Sequence, residues 1–270
     1  MKQDKALEGL QKLTTYADDA VPGLIELIRF KRRTANLSFC HLRLAGVHEI
    51  YAMKAKYVQG DDQQFRQHMH VACKLKIESI RLDKMDIPFQ TSVEMWLALL
   101  SDSPDVIDTV SRLEPAHFAH LRDGVRNPQF GTHMWQLAIR GDYEALEAKV
   151  QRVAKSGGKQ QRLLSAEGRD FFTLLMRADK AGLEERITKD ARLRNDDPTT
   201  QDFFTYLATL EAKLCWYRGI EVQIDSDRVP MDLMPVRPLA RYDDLYDFLK
   251  PGWVPPRQGW LGKIERLFTK

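Results

Sequence analysis

Cysteine is scarce in this 270-residue chain: Cys40, Cys73 and Cys215 are the only three, and they lie far apart. An odd, sparse set argues against a disulfide framework and fits a reducing compartment, where a free thiol behaves as a small buried hydrophobe. Long apolar runs are missing too; the longest span a few residues, against the roughly 20 that a membrane helix requires. The start, Met1-Lys2-Gln3-Asp4-Lys5, is charged and has no secretory h-region. Neither sign of charge dominates: 41 Lys+Arg face 38 Asp+Glu, a net of +3. That balance argues against a dedicated nucleic-acid binder. With 15 Gly and 12 Pro the chain is not collagenous or of low complexity. The expectation is a cytoplasmic protein with no membrane partner and no direct nucleic-acid partner.

What is present is a hydrophobic fraction of 43%, enough for a large core. Up to about residue 219 its spacing is three to four, the helical period. This predicts an all-α fold: a helical bundle or helical-hairpin repeat-like body, with an irregular Pro- and aromatic-rich C-terminal tail packed on it. Residues 1–270 read as a single domain, subdivided into long helices over 1–88, hairpins over 89–219 and a wrapping tail over 220–270.

Local signals place many helix ends. Pro22 suits a first helical position, opening a segment that runs to about Val58 with a break near Asn36. Gly60-Asp61-Asp62 is a stop followed by an N-cap, and a helix over about 62–84 buries Phe65, Met69, Cys73 and Ile77. Thr91-Ser92-Val93-Glu94 reads as a capping box. Ser103-Pro104 and Asp197-Pro198 each combine an N-cap with Pro at N1, the second opening a last long helix that Gly219 ends.

Three segments share one pattern: an apolar helix, a small residue with Asp, then a more polar helix. Met95–Leu100 precedes Ser101-Asp102, Met134–Ile139 precedes Gly141-Asp142, and Phe171–Met176 precedes Ala178-Asp179. A recurrence of roughly 40 residues suits helical-hairpin repeats, although no tetratricopeptide consensus is met, and a non-repetitive helical domain is the other reading. Beyond Gly219 the alternation Ile220-Glu221-Val222-Gln223-Ile224 predicts one short strand, and six prolines then exclude long helix. The aromatics Tyr242, Tyr246, Phe248, Trp253 and Trp260 predict a tail that is packed rather than disordered. Short helices are expected at about 242–249 and 259–268.

Catalytic patterns are few. His70 and Cys73 share a helical face beside His68, yet there is no HExxH, no CxxC and no second pair at zinc spacing, so packing or surface roles are expected. His41, His48, His117 and His120 read the same way. The pairs Asp18-Asp19, Asp61-Asp62, Asp196-Asp197 and Asp243-Asp244 read as helix-start acids rather than a general acid/base pair. Asp225-Ser226-Asp227 lacks the α/β surroundings of a nucleotide-sugar site. Ser156-Gly157-Gly158-Lys159 lacks both the length of a P-loop and a preceding strand, and reads as a helix-to-helix connection. Lys31-Arg32-Arg33 reads as a solvated helix face or a contact for an acidic partner. No catalytic residue, metal or cofactor is expected.

One stretch is more specific. It comprises Leu210-Glu211-Ala212-Lys213-Leu214, Arg218-Gly219-Ile220-Glu221-Val222, Asp225-Ser226, Val229-Pro230-Met231-Asp232-Leu233-Met234-Pro235, Pro238-Leu239, Tyr242 and Asp247-Phe248-Leu249. This resembles the C-terminal signature of the immunity protein 49 family of bacterial polymorphic-toxin systems, and the hairpins before it are similar too. The resemblance covers roughly residues 90–250. A second immunity group, paired with DNase effectors of secretion systems, is similar at the Glu-Ala helix end and at Pro230-Met231-Asp232-Leu233. The resemblance implies an all-α cytoplasmic protein encoded beside a toxin and protecting the producer or its siblings; it implies no catalytic residues.

Physically, the stretch reads as a helix end and a chain reversal, with Glu211 accepting amides of the reversing segment and Tyr242 and Phe248 anchoring the tail. The expected function is stoichiometric inhibition of a cognate toxin. The residues offered for contact are Arg122, Asp123 and Arg126, the Gly157-Gly158 connection, and Asp225, Asp227, Asp243 and Asp244. The alternatives are a helical-repeat scaffold that binds peptides and an enzyme using His68, His70 and Cys73.

Overall fold

The computed structural model describes residues 2–83, 89–116, 118–193 and 195–257. His117, Trp260 and the helix expected at about 259–268 fall outside them. Every regular element among the described residues is helical, so the protein is all-α. The chain forms two compact units, Met1–Lys84 with Ala240–Lys270, and Met85–Leu239.

In the first unit, α1 (Lys2–Phe30), α2 (Leu37–Lys54) and α3 (Asp62–Leu82) pack with α2 against both others. Pro22 does not begin a helix: it lies inside α1. A mid-helix proline forfeits one hydrogen bond and costs about 3 kcal/mol. The buried stripe Leu10, Thr14, Ala17 and Ile28 runs past it on both sides, which offsets that cost. The expected break is real: Asn36 caps α2 by accepting the Phe39 amide at 3.0 Å. α2 ends in one π-helical turn, Ala55–Gln59, and Gly60 stops it at φ +66°, a value that disfavours any side chain. Asp61 then caps α3, accepting from the Gln63 and Gln64 amides.

The tail packs on this unit through specific bonds. Gln67 and Asp243 form a reciprocal pair, Gln67 Nε2 donating to the Asp243 carbonyl at 2.6 Å and the Asp243 amide to Gln67 Oε1 at 3.0 Å. Tyr242 stacks on His70, Tyr246 on Phe248, and the Phe248 ring meets the edge of His41. Among the described residues of this tail, only Asp247–Leu249 is helical, as one 3₁₀ turn.

The second unit holds α4 (Val93–Ser101), α5 (Pro104–Ser111), α6 (Phe118–Leu121), α7 (Pro128–Arg140), α8 (Tyr143–Ser156), α9 (Lys159–Ala166), α10 (Phe171–Met176), α11 (Lys180–Asp190) and α12 (Tyr206–Tyr217). The repeat takes physical form as the hairpins α4/α5, α7/α8 and α10/α11, with a register corrected by one position. Each first helix ends on a left-handed residue, Asp102 (φ 55°), Gly141 (φ 73°) or Ala178 (φ 49°). The next residue, Ser103, Asp142 or Asp179, is the N-cap of the second helix. Asp102 thus corresponds to Gly141 and Ala178, not to the capping aspartates. In this register Trp96, Trp135 and Phe172 coincide.

Other expectations change. Ser92, not Thr91, is the N-cap of α4, so Glu94 falls one position short of a capping-box partner; the Ser92 hydroxyl instead bonds Tyr206 Oη at 3.0 Å. Asp197-Pro198 does not open α12. Asp197 closes a turn, accepting from the Thr199 and Thr200 amides, while Asn195 Nδ2 holds the Phe204 carbonyl outside a helical ladder. Gly219, at φ +79°, does reverse the chain, with the Ile220 amide returning to the Cys215 carbonyl. Residues 220–224 form no strand, the Val222 amide turning back to the Ile220 carbonyl at 2.9 Å; their alternation reflects the burial of Val222 and Ile224.

Candidate functional site

A cleft of about 830 Å³ opens in the second unit, lined from α7, α8, α9 and α10, with Arg186 of α11 and Glu211 of α12 also reaching it. Its wall is aromatic. Trp135 lies 5.4 Å from Phe171 and 5.0 Å from Phe172, the latter edge-on, and Phe130 is also present. Phe130, Trp135 and Phe171 are buried, at 3%, 8% and 5% exposure, and Phe172 is half-buried, so only a small part of the ring surface is open to the cleft. Gly131 faces the same space from the interior of α7; a methyl group there would meet nothing within 4 Å. Gly157 and Gly158 form the tight passage from α8 to α9, the Gly157 amide returning to the Val153 carbonyl and the Gly158 amide donating to Gln161 Oε1 at 3.0 Å.

The charge of the cleft is positive. Arg126, Arg162 and Arg186 face Asp170 and Glu211. Asp170 is engaged as the N-cap of α10, accepting the Thr173 amide at 3.1 Å. Glu211 is 2% exposed, and its Oε2 meets no hydrogen-bond donor. Burial first, then the charge of Asp190, raise its pKa well above the carboxyl range, against the opposing pull of Arg186. A proton on Glu211 would give it a donor towards Asp190, which pairs with Arg186 at 2.8 Å. Glu211 therefore does not accept amides from the reversing segment. Lys213 makes that connection, donating to the Leu233, Met234 and Pro235 carbonyls.

The structure brings Arg126 and the Gly157-Gly158 connection into one cleft. Its loop neighbours have other partners. Lys149 Nζ donates to the Arg122 carbonyl at 2.7 Å and to Asp123 at 3.3 Å, and Arg122 pairs with Glu114. Burial raises the Asp123 pKa, but Lys149, Arg122 and Arg152 together hold it below the usual range. Asp225 and Asp227 are exposed in the return segment, away from the cleft lining. Asp244 of the first unit pairs with Lys74 at 2.7 Å and approaches His70 at 3.5 Å, while Asp243 accepts the Leu245 amide. Asp18 and Asp19 sit within α1, and neither they nor Asp243-Asp244 begin a helix. Lys31-Arg32-Arg33 follows α1 in a turn, with Arg32 over the Trp253 ring.

A second cluster, in the first unit, escaped the sequence. His48 Nδ1 lies 3.0 Å from His68 Nδ1, and His48 Nε2 lies 2.8 Å from Tyr246 Oη. Tyr51, edge-on to His48, donates to Asp18 at 2.7 Å. Burial and then His68 lower the His48 pKa to about 3, and burial lowers that of His68 to about 4. Among the described residues, no three His, Cys, Asp or Glu side chains converge as metal ligands, and Cys73 is fully buried. No described helix is long and apolar enough to cross a membrane.

No family model, curated protein or solved structure matches the chain.

Proposed function

We propose that this chain is an immunity protein that neutralises a cognate antibacterial toxin by stoichiometric binding, and that the second-unit cleft is its contact surface. The resemblance of residues 210–249 to the immunity protein 49 signature supports the class of protein. The observation that carries the binding role is the cleft, where Trp135, Phe171 and Phe172 stand beside Arg126 and Arg162. Aromatic residues and arginine dominate the energetics of protein interfaces, and a stable complex buries about 1,200–2,000 Å² around such anchors.

Co-expression with the product of the neighbouring gene in a sensitive host tests the proposal. Survival and a stoichiometric complex on sizing are expected; undiminished killing without a complex would refute it. The second reading, a peptide-binding helical scaffold, is favoured by the recurrence of α4/α5, α7/α8 and α10/α11. It predicts micromolar binding of several unrelated peptides, whereas a single tight partner counts against it.

A further inference from the structure

The chemistry of the cleft narrows the kind of surface that fits it. Among the described residues, Arg126 and Arg162 are exposed and have no carboxylate partner within ion-pairing distance. The two carboxyls of the lining do not balance them: Asp170 keeps its charge while it caps α10, a single anion against two arginines, and Glu211 faces Asp190 from a buried position with a raised pKa. Outside the lining, Lys149 Nζ sits 4.1 Å from the Phe130 centroid and the Arg152 guanidinium 5.5 Å, and both pair with Asp123, which offsets part of their charge. A cationic ligand would meet repulsion there, and an anionic one attraction.

Gly131 adds an independent observation. Glycine inside a helix costs about 1 kcal/mol relative to alanine, and packing does not require it here, since a Cβ would meet open space. Its bare backbone leaves room beside Trp135, where another chain can approach closely.

We infer that the cleft receives an acidic segment of the partner protein that carries a bulky apolar side chain. The carboxylates meet Arg126 and Arg162, and the apolar group enters the open space over Gly131 and reaches the half-buried Phe172 and the small part of Trp135 left open. This rests on the reading that the cleft is the partner contact, and it specifies the chemistry of that partner.

The test uses the full-length protein and two fluorescein-labelled peptides. In one, Asp and Glu flank a central Trp; in the other, Lys replaces every acid. The acidic peptide is expected to bind saturably and the lysine peptide not to bind. Reversing both rim charges, R126E with R162E, is expected to weaken the acidic peptide by about tenfold. G131F should block it, while G131A leaves binding intact. Both arginines are exposed, so the charge reversal leaves the core untouched. Equal binding of the two peptides, binding of neither, or indifference to the charge reversal would overturn the inference. In the co-expression assay, protection by R126E/R162E equal to wild type would also overturn it while leaving the immunity reading standing. Lack of protection by the wild type removes the immunity reading, and the peptide measurements still decide the chemistry of the cleft.

Discussion

The Lys213 ammonium lies 2.7 Å from the Asp102 carboxylate, and both side chains are wholly withdrawn from solvent. Asp102 holds a left-handed turn at φ 55°, where glycine is the usual residue, and its second oxygen accepts the Arg237 amide at 3.1 Å. Lys213 also binds three consecutive carbonyls, at Leu233, Met234 and Pro235. One buried ion pair therefore joins the first hairpin, α12 and the returning segment. Removing one partner strands a buried charge, which costs about 3–5 kcal/mol. K213M is expected to lose that much in urea unfolding, and the double variant D102N/K213M to recover part of it. Additive losses would contradict the coupling.

The raised pKa of Glu211 gives a second prediction. Its folded pKa lies above the unfolded value of 4.5, so its contribution is fully present below that value and declines as pH rises towards the folded pKa. E211Q keeps the shape and a donor towards Asp190 but cannot ionise. It should lack this decline and gain on wild type as the pH is raised, whereas E211A should be destabilised throughout by about 2 kcal/mol through the cavity it leaves. Chemical denaturation from pH 4 to 9 makes the comparison; parallel curves for wild type and E211Q would exclude the shared proton.

The histidine pair in the first unit gives the opposite slope. His48 and His68 are held neutral, with folded pKa values of about 3 and about 4 against 6.5. The unfolded chain therefore binds more protons as pH falls below 6.5, and stability is lost towards the folded values. For fully buried His48 the loss at pH 5 is about 2 kcal/mol. Imidazole NMR signals of both residues should stay those of the neutral form between pH 8 and 5; titration of His48 near 6.5 would contradict the geometry.

Gln67 is expected to govern how firmly the tail is held. Its amide makes two bonds to the Asp243 backbone, and Q67A removes both at about 1–2 kcal/mol. Hydrogen exchange should then accelerate over 240–250 while α5 and α7 stay protected. Unchanged exchange at Asp243 would show that the aromatic contacts suffice.

The sequence revealed those features whose cause is local. Asp61, Gly60 and Gly219 act on the amides and carbonyls of their own turns, so their positions mark helix ends directly. Pro22 misled because its cost is borne by a buried stripe that extends far on both sides. Glu211 and Lys213 sit on one helix, and only tertiary packing decides that the lysine, not the glutamate, meets the returning chain. Asp102 aligns with Asp142 and Asp179 by residue type in the repeat; its shifted register follows from the backbone. For the cleft, Arg126 and Gly157-Gly158 were legible as loop residues. Their meeting, and the opening of the same cleft over Gly131, depends on how α7, α8 and α9 pack. The His48–His68–Tyr246 contact joins residues far apart in the chain and left no local trace.

The most direct test is hydrogen exchange on this chain alone and bound to the product of the adjacent gene, after co-expression in a sensitive host. The expected result is survival, a stoichiometric complex, and protection concentrated in 125–135 and 156–172, the segments that line the cleft. A complex that protects the cell but leaves these segments exchanging as in the free protein would contradict the cleft as the contact surface, and killing without any complex would contradict immunity itself.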